Sequence, residues 1–341
     1  MTADPWFLYG LMLRSRLFEE ATAHLWNDGL ISGELHLGTG EEAVVAGIVS
    51  NLRDGDAMAL DHRGTSALLM RGVDPGLLLR ELLGRPQGLC GGAGGHMHLF
   101  APEILAASSG IVGAAGPAGV GFALAADMLR PGTIAVAFLG EGAMNQGMVM
   151  ESMNLAAVWK LPVLFACKDD GWSITTSSPT MTAATLGERA RGLGVRAVDA
   201  DGLDVVAVWN AARETIESAR SGDGPIFLHA RCVHLEGHFL GFPLIRMVRD
   251  PLGEMPGVMG SLARSLLHRG GASLPDRWKG VKTVAEAGMS TLRDPRRDPG
   301  NDPVARLRAQ LVDQERLRGL EDEVTRAVAE TVAAVLSEAA A

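Results

Sequence analysis

Between Gly140 and Trp172 the chain reads GEGAMNQGMVMESMNLAAVWKLPVLFACKDDGW, with Glu141 between two glycines and Asp170 29 residues further on. One loop, one helix and one strand fill such an interval. The spacing therefore puts both acids just past the ends of neighbouring parallel strands, where ligands of α/β sheets sit. Two carboxylates there offer the hard oxygen donors that Mg²⁺ prefers, with phosphate oxygens of a ligand completing the octahedron. Gly140 and Gly142 let backbone pass close to a phosphate. The N-terminus of the following helix presents free N–H groups to it. The same spacing also suits two solvated acids at strand ends. Arg63 lies between Asp61, His62 and Gly64, and reads either as an anion-binding cation or as part of a surface ion pair. His238, in EGHFLG, reads as an acid–base group or as a loop histidine facing water.

The elements that must hold these residues are legible as apolar runs. TIAVAFLG (133–140), LPVLFACKD (161–169), VRAVDADG (195–202) and GPIFLHARC (224–232) are short strands of a sheet buried on both faces. Helical spacing covers 7–28, 41–52, 75–83, 145–159 and 203–219, and 110–129 is a loop running into an Ala/Gly-rich buried helix. Strand, helix and strand joined by short loops predict right-handed crossovers and a parallel sheet. From about 242 to 302 the pattern is irregular, with one short helix expected at 258–268. From Pro303 it is helical again, and Leu317, Leu320, Val324, Val328, Val332 and Val335 share one face of a long terminal helix, a packing or subunit-contact surface.

Composition narrows the function. At 341 residues the chain can bury a large core, and 47% hydrophobic with 21% charged residues is ordinary globular composition. A net charge of −9 argues against nucleic acid as a partner. No apolar run is long enough to cross a bilayer, so no membrane span is expected. No basic region followed by an apolar run opens the sequence, so no signal peptide is expected. Cys90, Cys167 and Cys232 are scattered, suggesting neither a disulfide framework nor a zinc site, and a cytoplasmic location fits best. Glycine occurs 43 times, clustered at 91–95 and 110–121, where backbone approaches either a ligand or a tightly packed neighbour.

The Glu141–Trp172 stretch resembles the thiamine-diphosphate motif, Gly-Asp-Gly followed about thirty residues later by Asn-Asn. It is most similar to the form found in α subunits of the decarboxylating component of 2-oxo acid dehydrogenase complexes. LHLGTGEEAVVAG (35–47), HRG (62–64), GGAGGHMH (91–98), GIVGA (110–114), GPIFL (224–228), EGHFLG (236–241) and DPVARLR (302–308) fall in the same order. The resemblance implies a three-layer α/β/α thiamine-diphosphate-binding fold with a mostly parallel central sheet, a helical N-terminal segment and a long C-terminal helix. One domain over 1–341 is expected, with its core at about 35–235, an irregular insertion at 242–302 and a helical segment at 303–341. Glu141, Asp170 and the carbonyl of Trp172 would hold Mg²⁺. Arg63, Gly140, Gly142 and Ala143 would meet the diphosphate, Gly110 and Val112 the aminopyrimidine, and His238 would serve beside the cofactor.

The resemblance implies a partner as well. The glutamate that activates the aminopyrimidine belongs in this family to a β subunit, so activity is expected only in an αβ or α2β2 assembly. A small 2-oxo acid would lose CO₂ and its acyl unit would pass to a lipoyl domain or a carrier-protein thiol. The alternatives are ketol transfer from a ketose phosphate to an acyl carrier protein, and a non-catalytic pseudo-subunit. Departures from the family's pattern keep these open. Asp170 stands where the family has asparagine, Thr65 and Ala67 replace two histidines, and Glu236 replaces the first histidine of His-Gly-His. Gly91 and Ala93 stand where many members carry lysine, and Phe239 where mammalian pyruvate enzymes have a regulatory serine. Two carboxylates against a diphosphate raise repulsion unless a cation compensates.

Overall fold

The computed structural model describes residues 2–174, 176–240 and 298–338. A seven-stranded sheet runs through the middle. Its strands are β1 (Ala57–Leu60), β2 (Phe100–Ala101), β3 (Ala106–Ser108), β4 (Ala135–Gly140), β5 (Val163–Asp169), β8 (Arg196–Asp201) and β9 (Ile226–Arg231), in the order β2-β3-β1-β4-β5-β9-β8. Every neighbouring pair is parallel except β2 with β3. A separate hairpin pairs β6 (Trp172–Ser173) with β7 (Thr176–Ser177). The four strands expected from apolar runs are present within two residues of their expected ends. β1 to β3 were not expected, being two to four residues long and too short to carry a period.

Alternate residues of the central strands feed two cores, one on each face. Met58, Val136, Phe138, Leu164 and Leu228 meet α1 (Pro5–Asn27), α2 (Glu42–Val49), α3 (Thr65–Met70), α4 (Pro75–Leu82) and α8 (Val205–Arg220). Ala59, Ala137, Leu139, Phe165 and Phe227 meet α5 (Ala115–Leu129), α6 (Gly147–Trp159) and α7 (Leu186–Gly192). The result is a three-layer α/β/α arrangement, as expected. The Ala/Gly composition of α5 has a packing reason: a Cβ on Gly119 would lie 2.7 Å from the Cβ of Ala137 in β4. A longer side chain there would push the helix off the sheet.

Two further helices, α9 (Pro303–Gln310) and α10 (Gln314–Ser337), close the described chain. Asp302 caps α9 and accepts both guanidinium NH groups of the buried Arg16, whose Nε donates to Glu42. α10 lies against α1 and α4 and buries Leu317, Val328 and Val335 there, so its apolar face is a packing surface within this chain. The expected helix at 258–268 and most of the expected insertion lie outside the described residues. The clustered glycines at 88–94 also have an internal partner. The fully buried Glu81 carboxylate accepts the backbone N–H groups of Cys90, Gly92 and Gly94 at 2.6–2.8 Å. Gly92 has φ +75°, and a Cβ there would come within 2.6 Å of Gly84 backbone. These glycines wrap a carboxylate of their own chain.

Candidate cofactor and metal site at the carboxyl edge of the sheet

Parallel pairing brings the carboxyl ends of β1, β3, β4, β5 and β9 to one edge, and most of the predicted site residues follow directly from those ends. Gly140 pairs with Lys168 and Asp169 with Arg231, so Glu141 and Asp170 leave adjacent strands at nearly the same level. Asp61, His62 and Arg63 follow β1, Gly110 and Val112 follow β3, and His234 and His238 follow β9. Glu141 and Ala143 lie in a short 3-10 turn, Glu141–Asn145, ahead of α6. Gly140 has open space where a Cβ would stand, whereas a Cβ on Gly142 would strike the Ser173 hydroxyl at 2.0 Å. Gly142 is thus needed for the close approach of the β6–β7 hairpin. Trp172 opens that hairpin, and its N–H donates to Asp170 Oδ1 at 3.3 Å. Val112 is 55% exposed on an open loop.

Glu141 is only 3% exposed, and its carboxylate accepts from Ser178 Oγ at 3.0 Å. Burial, and then the nearby Asp170 and Asp169 charges, push its pKa up to about 8. A buried carboxyl driven toward its neutral form by other carboxylates is relieved by a divalent cation, and the all-oxygen donor set suits Mg²⁺. A pocket of about 680 Å³ opens beside Glu141 and Asp169, with Gly171 and Ser178 in its wall. The residues therefore fit the metal that the resemblance implies.

The extra carboxylate has a compensating cation. His234 Nδ1 is 2.9 Å from Asp170 Oδ2, and its Nε2 is 2.8 Å from Glu41 Oε1. Burial and Arg63 pull the His234 pKa down, but Asp170 and Glu41 outweigh them and raise it to about 9. Burial would raise Asp170, yet the His234 charge holds it below the usual carboxylate range. Glu41 also accepts from Lys168 Nζ at 2.6 Å, and Lys168 reaches Asp61 at 3.1 Å. Lys168 is buried at the end of β5, where burial opposes its charge and Asp61 and Glu41 restore it. On the next strand, His229 bridges Asp169 and Asp199 at 2.7 Å on each side.

Arg63 is 2% exposed, so it forms no surface ion pair. Its guanidinium donates to the carbonyls of Leu37 and His238, the latter at 2.6 Å, and its Nε lies 3.8 Å from Glu41. Arg63 thus ties the loop carrying His238 to the end of β1. His238 is half-buried and packs against His36, His62 and Phe239. Burial, and then the Arg63 charge, lower its pKa to about 3, so its imidazole is neutral near pH 7. Sequence reasoning missed Glu41, Lys168, His234 and His36. A lysine inside the apolar run VLFACKD was the available signal, because a buried ammonium demands carboxylate partners.

Comparison with known proteins agrees with this geometry. Residues 9–241 match the family described as "Dehydrogenase E1 component". The α subunit of acetoin:2,6-dichlorophenolindophenol oxidoreductase from Cupriavidus necator is 42% identical over 236 residues, 69% of this chain and 71% of that protein. The pyruvate dehydrogenase E1 component α subunit of Zymomonas mobilis is 38% identical over 250 residues, covering 72% and 71%. An acetoin:2,6-dichlorophenolindophenol oxidoreductase α subunit from Bacillus subtilis is 37% identical over 237 residues, covering 69% and 71%.

Proposed function

Because the chain belongs to the dehydrogenase E1 component family, we propose that it is the α subunit of a thiamine-diphosphate- and Mg²⁺-dependent enzyme that decarboxylates a 2-oxo acid. The observation that supports this reading best is the set of buried Glu141 with half-buried Asp169 and Asp170, three carboxylates at the ends of two adjacent strands with His234 beside Asp170. Glu141, Asp170 and the Trp172 carbonyl would hold Mg²⁺. Gly140, Ala143 and the start of α6 would face the diphosphate, and Gly110 and Val112 the aminopyrimidine. When bound, thiamine diphosphate supplies the electron sink for loss of CO₂.

The chain's own residues then position and insulate. Arg63 lends positive charge near the diphosphate and fixes the His238 loop through the His238 carbonyl. His238, as a neutral imidazole, can accept a proton or donate a hydrogen bond to the reacting acyl group. The acyl unit would pass to a lipoyl or carrier-protein thiol. A β subunit completes the enzyme, and its docking surface would be the outer side of α5 and α6. Met128, Leu129, Leu155, Val158 and Trp159 are exposed there, with Leu129 at 77% and Trp159 at 54%. Apolar groups of that size gathered on neighbouring helices mark an interaction face. No helix among the described residues is long and apolar enough to cross a membrane.

Calorimetric titration of the complex with thiamine diphosphate and Mg²⁺ tests the site. Wild type should bind both, and Glu141→Ala should abolish binding. Normal binding by Glu141→Ala would remove the metal site and leave the pseudo-subunit reading.

A further inference from the structure

The segment 35–40, between α1 and α2, is a backbone strap that joins three parts of the molecule. Its Leu35 carbonyl accepts the Leu240 N–H at 2.8 Å, and its Thr39 carbonyl the Leu235 N–H at 3.2 Å. The strap thus holds the loop after β9 on both sides of His238. Between these two bonds the Leu37 carbonyl accepts the Arg63 guanidinium. The N–H groups of Gly38 and Gly40 serve the helices instead: Gly40 donates to Glu42 Oε2 at 2.8 Å, and Gly38 to Glu19 Oε2. Leu35 and Leu37 are buried beside Leu240, with Ala23 and Trp26 of α1 packed against them.

Glu19 is a buried acid of α1, and it ties the strap to α3. One carboxylate oxygen takes the Gly38 N–H. The other accepts Ser66 Oγ at 2.9 Å, and Ser66 in turn accepts Ser15 Oγ at 2.8 Å. Ser66 follows Arg63 by less than one helical turn, and Gly38 adjoins the carbonyl that holds the Arg63 guanidinium. The two oxygens of Glu19 therefore grip the chain on both sides of this arginine. The fit is close. A Cβ on Gly38 would stand 2.9 Å from Ser66 Oγ and 3.2 Å from Glu19 Oε1, and one on Gly40 would stand 2.1 Å from the Val233 carbonyl oxygen. Among the described residues no cation pairs with Glu19, since Arg16 on the same helix is taken by Glu42 and Asp302. A buried acid without an ion pair costs stability. What it supplies here is two acceptors fixed in one plane.

We propose that Glu19 is a positioning residue for the reaction proposed above: acting through the 35–40 strap, it sets where Arg63 and His238 stand. The proposal rests on the reading in which His238 meets the reacting acyl group. Every link is a hydrogen bond, from Gly38 to Glu19, from Arg63 to Leu37, from Arg63 to the His238 carbonyl at 2.6 Å, and from Leu240 to Leu35. Releasing the grip lets the strap shift, and a displacement of about 1 Å near reacting atoms can cost about 10² in rate. Glutamine preserves the grip, because its oxygen can accept from Gly38 while its amide donates to Ser66 Oγ. Alanine leaves the Gly38 N–H buried without an acceptor.

Two measurements on the complex with the β subunit test the proposal. Amide hydrogen exchange reads the strap without any turnover. In Glu19→Ala the Leu235 and Leu240 amides should exchange at least about tenfold faster while β4 and β5 stay protected, and Glu19→Gln should keep the wild-type rates. Steady-state kinetics at saturating thiamine diphosphate and Mg²⁺ reads the reaction. Glu19→Ala should lower kcat by about tenfold or more, and Glu19→Gln by less than about threefold. In a His238→Ala background Glu19→Ala should cost no more than about twofold, because the group it positions is gone. If Glu19→Ala fails to fold, Ser66→Ala, which removes one of the two side contacts of Glu19, is read in the same way. Unchanged exchange at Leu235 and Leu240 overturns the proposal, as does a double variant in which the two losses simply multiply. A wild-type complex inactive on every 2-oxo acid strikes the proposed reaction instead, and the exchange rates still decide whether Glu19 holds the His238 loop.

Discussion

Asp170→Asn removes one negative charge from the proposed metal site and keeps an oxygen at the same reach. With metal–oxygen distances near 2.1 Å on both sides of a bridging Mg²⁺, the Asp170 charge and the nearest diphosphate charge stand about 5 Å apart. At an effective dielectric of about 20 their repulsion is about 3 kcal/mol. His234, 2.9 Å beyond Asp170, offsets part of it. A unit positive charge at about 8 Å contributes about 2 kcal/mol of attraction. If His234 keeps its proton in the variant, the whole 3 kcal/mol is gained, about a hundredfold in affinity. If it loses the proton together with its partner, about 1 kcal/mol is gained, roughly fivefold. Asp170→Asn should therefore tighten thiamine diphosphate binding by about 5- to 100-fold at saturating Mg²⁺, measured by calorimetry on the assembled complex. Weaker binding by the variant would refute the reasoning, because it would mean that the aspartate charge helps to hold the metal–diphosphate unit.

His238→Ala should lower turnover by about 10² while leaving cofactor affinity unchanged, which steady-state kinetics and calorimetry separate. Trp159→Ala should weaken association with the β subunit by about 2 kcal/mol, roughly thirtyfold by sedimentation, if α6 carries the docking face; an unchanged affinity would move the interface elsewhere. Glu19 is fully buried, with its carboxylate held by Ser66 Oγ at 2.9 Å and by the Gly38 N–H. Burial raises its pKa to about 7, so between its ordinary value of 4.5 and 7 the folded state binds more protons than the unfolded one. Its contribution to stability is then complete below pH 4.5 and declines as pH rises through 7. Glu19→Gln should flatten the loss of melting temperature between pH 5 and about 8 in thermal scans; an equally steep loss in the variant would assign that slope to other groups.

Strands buried on both faces are legible because burial demands a continuous apolar run, and β4, β5 and β9 are such runs. β1 is only Ala-Met-Ala-Leu and owes its place to pairing with β3 and β4, which no local pattern records. The spacing of Glu141 and Asp170 was legible for a related reason: the crossover between adjacent parallel strands fixes its own length. The environment of the pair was not. His234 and Glu41 are 193 residues apart, and Lys168 and Glu41 127 apart, so only the assembled sheet edge shows that they share partners. The clustered glycines left a ligand and a packed neighbour both open, and only the fold shows that the N–H groups of those at 92 and 94 point to the Glu81 carboxylate.

That edge explains how an aspartate can occupy a position where the family carries a neutral amide. Lys168 sits between Asp61 and Glu41, and Glu41 passes the connection to His234 and so to Asp170. Each carboxylate in the chain touches a cation, and both ring nitrogens of His234 face an acid, an arrangement that favours the imidazolium. Glu141 has Ser178 as its hydrogen-bonding partner, and burial, then the Asp170 and Asp169 charges, drive it toward neutrality. The network therefore separates two tasks. Asp170 is kept ionised by the protein itself, whereas the charge on Glu141 is left for the metal to stabilise. Mg²⁺ binding should accordingly release protons from Glu141 near pH 7, and measuring the binding heat in buffers of different ionisation enthalpy reads that release directly. Proton release close to zero would show that Glu141 is already ionised before the metal arrives, and the division of labour between the two acids would fail.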